Sequence, residues 1–563
     1  MKNYRILFIF VLFVVLFLII FGDFLYLSLH KPPNYFSPIA IRKNLALRGN
    51  ILTKNYVVAK SEKIYAVSIN PLFIDPNKKN LFVKLFSIYT SIPEEKIKKR
   101  LKFKRYIILA KVDLKTAQNL KYLLKVLDKK RVFLADKRGI RRGYYIQDYA
   151  YKRVYPYNDT LEPVLGRFRK DLNRGENGLE EYYDSFLSPI ANGVTKGYRD
   201  VYGNIIYDNN VYVKHPINGK NLPLNINLVL QKRIEKILDS KKKEFKADEV
   251  MAAVMDSKTG KILAIASSNR YDPQNITKKD IKNMKIGVIR TLYEPGSVMK
   301  PITFAILLER NKVNPYEILN AYNGRWKPEW RKTPIRDDEP FAWLSAENAI
   351  VHSSNIVISQ LALRLTNIEF FNGLKKFGFG KFSGVDLPYE LRGYIPSLTK
   401  LKYPIFESTT AYGYGIFVNF MQLLKAYNVF NNKGIQIAPK IASVPTNKKR
   451  VISAKNAEIM LGILRKVVLK GTGKAAIIDG IFTAGKTGTA QRSKKGRYGK
   501  TYNSSFFGFA NDKAHRYTIG VTFINIKAKW PKYFASNSAV PTFKEIVDIM
   551  INLNLLKRGN NEK

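Results

Sequence analysis

The sequence contains no cysteine and only four histidines, and these two shortages exclude several kinds of site. Without cysteine the chain has no disulfide framework, no thiol nucleophile and no cysteine metal ligand. No two histidines have the spacing of paired metal ligands; they are His30, His215, His352 and His515. We therefore expect a protein that uses neither a metal ion nor a cofactor.

Acidic residues are also scarce. The 563 residues include 44 acidic and 96 basic side chains, which gives a formal net charge of +52. Three interpretations compete: a lysine-rich composition that solvates the surface, a basic face that attracts anionic lipid headgroups and the diphosphate of a lipid-linked substrate, or nucleic-acid binding. Export of the chain, for which the N-terminus argues, excludes nucleic acid as a partner.

One long hydrophobic run is present, at the N-terminus. The residues from Ile6 to Gly22 are uncharged, a length at the short end of the ~17–25 residues that span a bilayer. Lys2 and Arg5 precede the run and Asp23 follows it, so the positive-inside rule places the N-terminus in the cytoplasm. A cleavable signal peptide would end in small residues, whereas bulky ones follow here. The sequence predicts an uncleaved single anchor with the rest of the chain outside the cytoplasm.

The stretch around Ser297 has the pattern of a serine nucleophile with a neighbouring base. Pro295-Gly296 interrupts the preceding structure, and an apolar run at 302–308 indicates a helix after it. Residues three apart on a helix are neighbours, so the Lys300 amine can reach the Ser297 hydroxyl. Lysine can act as a base there if its pKa is lowered, by burial, by the helix N-terminus or by a second cation.

Two further motifs follow in order along the chain. Ser353-Ser354-Asn355 precedes a helical pattern, and Lys486-Thr487-Gly488-Thr489 continues a strand-like run. Ser-x-x-Lys, Ser-x-Asn and Lys-Thr-Gly together form the motif set of penicillin-binding proteins and β-lactamases. Residues 480–487 also match a phosphate-loop pattern, but their apolar interior and the glycine after Thr487 argue against one. The chain resembles a class B penicillin-binding protein, most closely the septal peptidoglycan D,D-transpeptidase.

The resemblance implies roles for the residues of the first two motifs. Ser297 would attack the carbonyl between two D-alanines of a peptidoglycan stem peptide, and Lys300 would accept its proton. Ser353 would pass a proton to the leaving amine. Asn355 would hold Lys300 and the substrate amide through its side-chain amide.

The third motif is implied to bind substrate. Lys486 would supply the second cation that keeps Lys300 neutral, and Thr487 and Thr489 would offer hydroxyls to the terminal carboxylate. Gly488 would let the acyl chain lie against the strand as an added strand. By resemblance, the backbone N–H groups of Ser297 and Thr489 form the oxyanion hole.

The resemblance also extends, more weakly, to the N-terminal half. Arg48-Gly49-Asn50-Ile51-Leu52 is similar to the start of the family's non-catalytic module, although Thr53-Lys54 replaces the usual Asp-Arg. Arg153-Val154-Tyr155-Pro156 and the segment at 175–180 are further fragments of this kind. No glycosyltransferase domain is recognisable, so we expect a monofunctional enzyme.

The expected fold class is α/β (α+β), with a single transmembrane helix, a mixed α+β pedestal module, and a transpeptidase domain like that of penicillin-binding proteins and serine β-lactamases. That domain should hold an antiparallel sheet flanked by helices. The expected divisions are a cytoplasmic tail at 1–5, an anchor at 6–29, a pedestal at 30–215, the transpeptidase at 216–557 and a polar tail at 558–563. Within the transpeptidase domain we expect a strand at 222–227, a helix through 230–238, a hairpin at 250–256 and 261–266, strands at 504–509 and 517–523, and a last helix at 543–555.

The implied partners are stem peptides, the lipid-linked precursor polymer, β-lactams, a glycan polymerase of the SEDS type and other divisome membrane proteins. The implied location is the bacterial inner membrane, with a periplasmic or extracytoplasmic catalytic domain. Four alternatives stay open: an elongation-specific transpeptidase, a membrane-anchored serine β-lactamase, a carboxypeptidase that uses water as acceptor, and a sensing or scaffolding protein.

Overall fold

A computed structural model describes residues 2–29, 39–135, 143–200, 205–494 and 497–559. His30 and the last four residues of the polar tail lie outside these ranges. The helices are α1 (Lys2–Leu29), α2 (Lys79–Thr90), α3 (Glu94–Arg100), α4 (Leu114–Lys129), α5 (Gly178–Tyr182), α6 (Asp184–Leu187), α7 (Leu228–Phe245), α8 (Gly287–Arg290), α9 (Lys300–Glu309), α10 (Ala346–Val351), α11 (Asn355–Ala362), α12 (Asn367–Lys376), α13 (Leu398–Leu401), α14 (Pro404–Ala411), α15 (Phe420–Asn431), α16 (Ala454–Lys470) and α17 (Ala539–Asn552).

The strands are β1 (Ile39–Asn44), β2 (Ile51–Leu52), β3 (Val57–Ile69), β4 (Ile107–Val112), β5 (Tyr144–Val154), β6 (Arg167–Arg169), β7 (Arg174–Glu176), β8 (Gly193–Tyr198), β9 (Tyr212–Lys214), β10 (Leu222–Pro223), β11 (Glu249–Asp256), β12 (Ile262–Ser267), β13 (Ile318–Asn320), β14 (Arg325–Trp326), β15 (Ile335–Arg336), β16 (Trp343–Ser345), β17 (Ile435–Ile437), β18 (Lys448–Arg450), β19 (Phe482–Lys494), β20 (Arg497–Asn511) and β21 (Arg516–Ile526). Helices and strands alternate irregularly, as the expected mixed fold class requires.

Helix α1 contains the apolar run that the sequence assigns to a membrane. Residues Leu7–Tyr26 have a mean hydropathy of 3.0 and are not buried against any other part of the protein. It is the one helix among the described residues that is long and apolar enough to cross a bilayer.

The chain divides into two compact units, each made of separate segments. The first comprises residues Met1–Ala46, Lys63–Tyr151 and Ile190–Ile217; the second comprises Leu47–Glu62, Lys152–Pro189 and Asn218–Lys563. In the first unit, β8 pairs with β1 and β9, and the C-terminal part of β3 pairs with β4. Helices α2, α3 and α4 bury apolar side chains on that β3–β4 pair, including Phe82, Phe86, Ile97, Leu120 and Leu124.

A five-stranded antiparallel sheet, in the order β12-β11-β21-β20-β19, forms the centre of the second unit. Both faces of β11 are buried: Val250, Ala252 and Val254 face one core, and Met251 and Ala253 face the other. The first core is completed by α7 and α17, and the second by α9, α15 and α16. The expected antiparallel sheet covered by helices is confirmed, and its double burial explains why β11 reads as a continuous apolar run.

The elements predicted for the second unit are present, but their lengths differ. The hairpin β11–β12 is confirmed. The strand expected at 222–227 is wrong in length, because Asn227 already caps α7 by accepting hydrogen bonds from Val229 N and Leu230 N. Burial still alternates through Leu222, Leu224 and Ile226. The last helix begins at Ala539 instead of residue 543.

The three N-terminal fragments that resemble the family meet in one buried ion network. Arg48 Nε donates to Glu180 Oε2 at 2.8 Å, and Arg153 Nε donates to Glu180 Oε1 at 2.7 Å. The Arg48 guanidinium also contacts Asp184 at 2.7 Å. Because both arginines and Glu180 are buried, removing one partner would leave an uncompensated charge. These fragments thus stabilise the unit that carries the central sheet.

Candidate active site

Ser297 lies in a 3-10 helical turn, Gly296–Met299, which leads directly into α9. Gly296 adopts a left-handed conformation with φ +60°, which glycine tolerates at no steric cost. Its N–H donates to Gly413 O at 3.0 Å. Just before the turn, Glu294 Oε1 accepts a hydrogen bond from Gly415 N at 2.8 Å. The Tyr-Gly-Tyr-Gly stretch at 412–415 therefore supports the turn that presents Ser297.

The inner side of this turn is fixed from the core. Tyr427 is fully buried on α15, and its hydroxyl donates to Val298 O at 2.7 Å. Val298 and Met299 are also fully buried, whereas Ser297 is partly exposed. The turn thus combines buried anchors with an accessible hydroxyl, as a nucleophile requires.

Lys300 is the first residue of α9 and is fully buried. It adopts the helical conformation, with φ −54° and ψ −44°, although Pro301 follows it. Its Nζ donates to Ser353 Oγ at 3.0 Å and also to Ser353 O. The second motif is therefore in direct contact with the base that the first motif supplies.

Burial is the main cause of a low pKa at Lys300. It lowers the pKa of the Lys300 amine to about 8, while Asp337 and Asp338 act in the opposite direction. Burial also lowers the pKa of Lys486 well below its usual value, and the charge of Lys300 lowers it further. The charge effect between the two lysines is therefore seen at Lys486, whereas burial is what lowers the pKa of Lys300.

The Ser-x-Asn loop connects α10 to α11 through a left-handed residue, Ser353, at φ +63°. A serine in this conformation stores strain, typically about 1 kcal/mol or more. The side chain of Asp337 holds the loop in this conformation. Its carboxylate accepts hydrogen bonds from Ser354 Oγ, from Asn355 N at 2.5 Å and from Ile356 N at 3.1 Å. One acidic side chain therefore holds the three residues that follow the serine in contact with Lys300.

Asn355 makes a different contact from the one expected. Its Nδ2 donates to Arg336 O at 2.7 Å, whereas the sequence-based expectation was that it holds Lys300. The Lys300 amine contacts Ser353 instead. Asn355 itself is partly exposed.

The third motif lies on β19, which pairs with β20 and forms the edge of the central sheet. The strand continues through Gly488 and Thr489, so no helix follows Thr487 and the phosphate-loop alternative is wrong. A Cβ at Gly488 would lie 2.9 Å from Val298 Cγ1 and 3.0 Å from Pro295 O. Glycine is therefore needed for the strand to approach the Ser297 turn this closely.

The polar side chains of this strand are already oriented. The hydroxyls of Thr487 and Thr472 are 2.6 Å apart, and Lys486 Nζ lies 3.4 Å from Thr487 Oγ1. Thr489 Oγ1 accepts a hydrogen bond from Ala535 N at 3.1 Å. The structure thus brings all three motifs to one place: the Ser297 turn, the Ser353 loop and the β19 edge.

Sequence reasoning missed Asp337 and Asp338, which lie just before this loop. Asp337 holds the Ser-x-Asn loop, and Asp338 influences the pKa of both Lys300 and Lys486. A signal was available, because Asp337-Asp338-Glu339 is the one run of three acidic residues in this basic chain. Tyr427 was also missed, since a buried tyrosine within an apolar helix is indistinguishable from ordinary core in a sequence.

Comparison with known proteins identifies the family. Residues 250–548 match the penicillin binding protein transpeptidase domain, and residues 43–224 match the penicillin-binding protein dimerisation domain. The chain belongs to the class B penicillin-binding proteins. This penicillin-binding protein is thereby a transpeptidase-domain enzyme, as its sequence motifs imply.

Individual relatives agree with this membership. Stage V sporulation protein D of Bacillus subtilis is 30% identical over 482 residues, which cover 82% of this chain and 72% of that protein. Peptidoglycan D,D-transpeptidase FtsI of Buchnera aphidicola is 28% identical over 514 residues, which cover 88% of this chain and 85% of that protein. The crystal structure of penicillin binding protein 2X from Streptococcus thermophilus shares the fold of this penicillin-binding protein, with a TM-score of 0.74 and 20% identity over 91% of this chain and 81% of that one.

Proposed function

We propose that this protein is a peptidoglycan D,D-transpeptidase that cross-links stem peptides through a serine acyl-enzyme at the division septum. The observation that carries the proposal is the buried amine of Lys300, which follows Ser297 by one helical turn and bonds to Ser353. A buried amine with a lowered pKa that is bonded to one serine hydroxyl and lies one helical turn from another serine can accept and donate protons in acyl transfer.

In the first half-reaction Ser297 Oγ attacks the carbonyl between two D-alanines, and its proton passes to Lys300 Nζ. The C–N bond breaks, Ser353 delivers its proton to the leaving amine of the terminal D-alanine, and Lys300 passes the proton taken from Ser297 to Ser353 along their hydrogen bond. In the second, an amine of a neighbouring stem peptide attacks the acyl-enzyme ester. An amide forms, Ser297 regains its proton, and the two strands are joined.

The β19 edge binds the donor peptide in this scheme. Lys486, Thr487 and Thr489 bind the terminal carboxylate, and Gly488 leaves room for the peptide to pair with the strand. Backbone N–H groups of Ser297 and Thr489 stabilise the oxyanion, a contribution of about 3 kcal/mol per donor. Asn355 orients the substrate amide from the opposite side. Penicillins acylate Ser297 by the same attack.

The septal assignment rests on relatives named FtsI and on the Ser297 and 411–415 segments. In this proposal the N-terminus is cytoplasmic and α1 is the single anchor in the inner membrane. Residues 30–215 form the pedestal, and residues 216–557 form the transpeptidase in the periplasm. The anchor and pedestal bind a SEDS-type glycan polymerase and other divisome membrane proteins.

Intact-protein mass spectrometry of the detergent-solubilised full chain with a penicillin tests the chemistry. The wild type should gain one lasting adduct of the mass of the drug. Ser297→Ala and Lys300→Ala should gain none, while the matched controls Ser443→Ala and Lys312→Ala, which change exposed residues, should react like the wild type.

Each other result contradicts the proposal in a different way. Rapid consumption of the drug without an adduct would indicate a β-lactamase. A chain that does not react at all would be a scaffold. Depletion in the native bacterium separates the two cellular roles, because filaments are expected for a septal enzyme and rounded cells for an elongation enzyme.

A further inference from the structure

Three of the four tryptophans of the chain lie between the first two catalytic motifs, at positions 326, 330 and 343. Two of them join a row of aromatic rings on the hairpin β14–β15. Tyr322 stacks on Trp326 with ring centroids 5.9 Å apart and planes at 18°, and Trp330 meets Trp326 edge-on at 5.8 Å. Tyr322 is 42% exposed, and both tryptophans are partly exposed. We call Tyr322, Trp326 and Trp330 the aromatic row.

The backbone that presents the row is strained. Tyr322, Asn323 and Gly324 adopt left-handed conformations in succession, with φ values of +52°, +48° and +76°. An aromatic residue in this region costs about 1–3 kcal/mol, and such strain concentrates where a side chain has to be presented to a ligand. The exposure of three neighbouring aromatic rings is likewise costly unless something covers them.

The aromatic row is connected to the catalytic machinery on two sides. Asp337 N donates to Gly324 O at 3.1 Å, and the carboxylate of the same residue holds the Ser353 loop. On the other side, Arg331 Nη1 donates to Tyr412 OH at 3.1 Å, and the adjacent Gly413 supports the Ser297 turn. The hairpin is thus an extension of the active-site wall.

We propose that the aromatic row binds a sugar ring of the peptidoglycan strand whose stem peptide occupies the active site. This inference rests on the proposed transpeptidase function. A pyranose ring presents a face of C–H groups that packs on the electron-rich face of an aromatic ring, and hydroxyl groups that stay in water. The same hairpin is rich in cations, which suit the carboxylates of stem peptides; they are Arg325, Lys327, Arg331, Lys332 and Arg336, with Glu329 as the one acid of the hairpin.

The polymer nature of the substrate favours sugar over another occupant. Every stem peptide that reaches Ser297 is covalently attached to the glycan, so a sugar accompanies each substrate into the neighbourhood of the site. A protein partner has no such reason to approach the wall of the cleft. The row would therefore raise the affinity for polymeric substrate and leave the reaction with a small β-lactam unchanged.

Tryptophan fluorescence of the full chain in detergent gives a direct readout, because two of its four tryptophans belong to the row. Three probes should be titrated: glycan strands that carry uncross-linked pentapeptides, peptide-free N-acetylglucosamine hexasaccharide, and free pentapeptide. Both sugar-containing probes should change the emission of the wild type. Trp330→Ala and Trp326→Ala should weaken glycan-strand binding about tenfold, and Trp326→Phe should restore most of it.

The matched control is Tyr316→Ala, which removes an aromatic ring that is 73% exposed in the same unit but outside the row. It should bind all probes like the wild type. Penicillin acylation, measured in parallel, should be unchanged in every variant. If penicillin does not acylate the wild type, the proposed function has failed and this inference has not been the cause.

Four results would overturn the inference. The first is a glycan affinity that is equal in the wild type and Trp326→Ala, and the second is a variant that loses affinity for free pentapeptide as much as for glycan strands. The third is slower penicillin acylation in the row variants, which would show that the row only supports the active site. The fourth is an unchanged glycan affinity in a variant that no longer co-purifies with a membrane protein. The last would assign the row to a protein partner.

Discussion

The carboxylate of Asp337 accepts a hydrogen bond from the backbone N–H of Asn355 at 2.5 Å, and through this contact a residue outside all three motifs positions one of them. The same carboxylate accepts from Ser354 Oγ and from Ile356 N. The Ser353 loop is strained, so it needs such support to keep its hydroxyl against Lys300.

Asp337→Ala should therefore slow penicillin acylation by about tenfold to a hundredfold, because two backbone donors and a buried hydroxyl lose their acceptor. Asp337→Asn should be milder, since an amide oxygen still accepts from both N–H groups. Stopped-flow acylation rates measure the difference. Equal rates for the alanine variant and the wild type would show that the Ser353 loop keeps its conformation without Asp337.

The rate of acylation should rise with pH as Lys300 loses its proton. The pKa of this amine is lowered to about 8, so the neutral base is scarce at pH 6 and becomes dominant above pH 8. The second-order rate constant should increase about tenfold per pH unit below 8 and then level off. A flat profile between pH 6 and 9 would contradict the role of Lys300, and Lys312→Ala should keep the wild-type profile.

Gly488→Ala should abolish most acylation while the protein stays folded. The new methyl group would lie 2.9 Å from Val298 Cγ1 and 3.0 Å from Pro295 O, so β19 and the Ser297 turn must separate. A shift of this size misplaces the reacting atoms by enough to cost about a hundredfold. Gly499→Ala, where a Cβ meets only Arg492 O at 3.9 Å, is the matched control on the neighbouring strand.

Tyr427→Phe should lower the free energy of unfolding by about 1–3 kcal/mol, since Val298 O loses its buried donor. Acylation should slow as well, because this bond fixes the turn that holds Ser297. Thermal unfolding and penicillin acylation should both be measured. If only stability falls, the turn is held by its other contacts, among them the bond from Gly296 N to Gly413 O.

Glu407 offers a stability prediction that is independent of catalysis. Burial raises the pKa of this carboxyl to about 7, and its Oε1 has no hydrogen-bond partner among the described residues. A raised pKa in the folded state means that Glu407 weakens stability progressively as the pH rises from about 4.5 to 7. Glu407→Gln should raise the unfolding free energy by about 1–3 kcal/mol at pH 8 and change it little at pH 4.5. A gain that is equal at both pH values would contradict this assignment.

The sequence predicted what depends on local pattern and motif order. The apolar run of β11 and its hairpin with β12 depend on nearby residues, so both were predicted correctly, whereas Asn227 was assigned to a strand and instead caps α7. Contacts across long separations were not accessible in this way. The hydrogen bond from Tyr427 to Val298 O and the hydrogen bonds that Asp337 accepts from the Ser353 loop depend on how distant segments fold together.

The same limit applies to the N-terminal fragments. Arg48, Arg153 and Glu180 were visible as family-like residues, but nothing in their spacing indicated that they share one buried network. The boundary near residue 216, between the pedestal and the transpeptidase domain, stays a prediction. The compact unit with the central sheet draws on residues 47–62 and 152–189 as well.

The order of strands in the central sheet has a consequence for biogenesis. Strand β11 lies between β12 and β21, and Glu249 pairs with Ile524. A chain synthesised from its N-terminus presents β11 and β12 long before β21 emerges, so one edge of an apolar strand stays open during synthesis. Correct folding then depends on shielding that edge until β21, Arg516–Ile526, has emerged. The need for chaperones during folding should therefore be set by the delay before β21 emerges more than by the final stability of the fold.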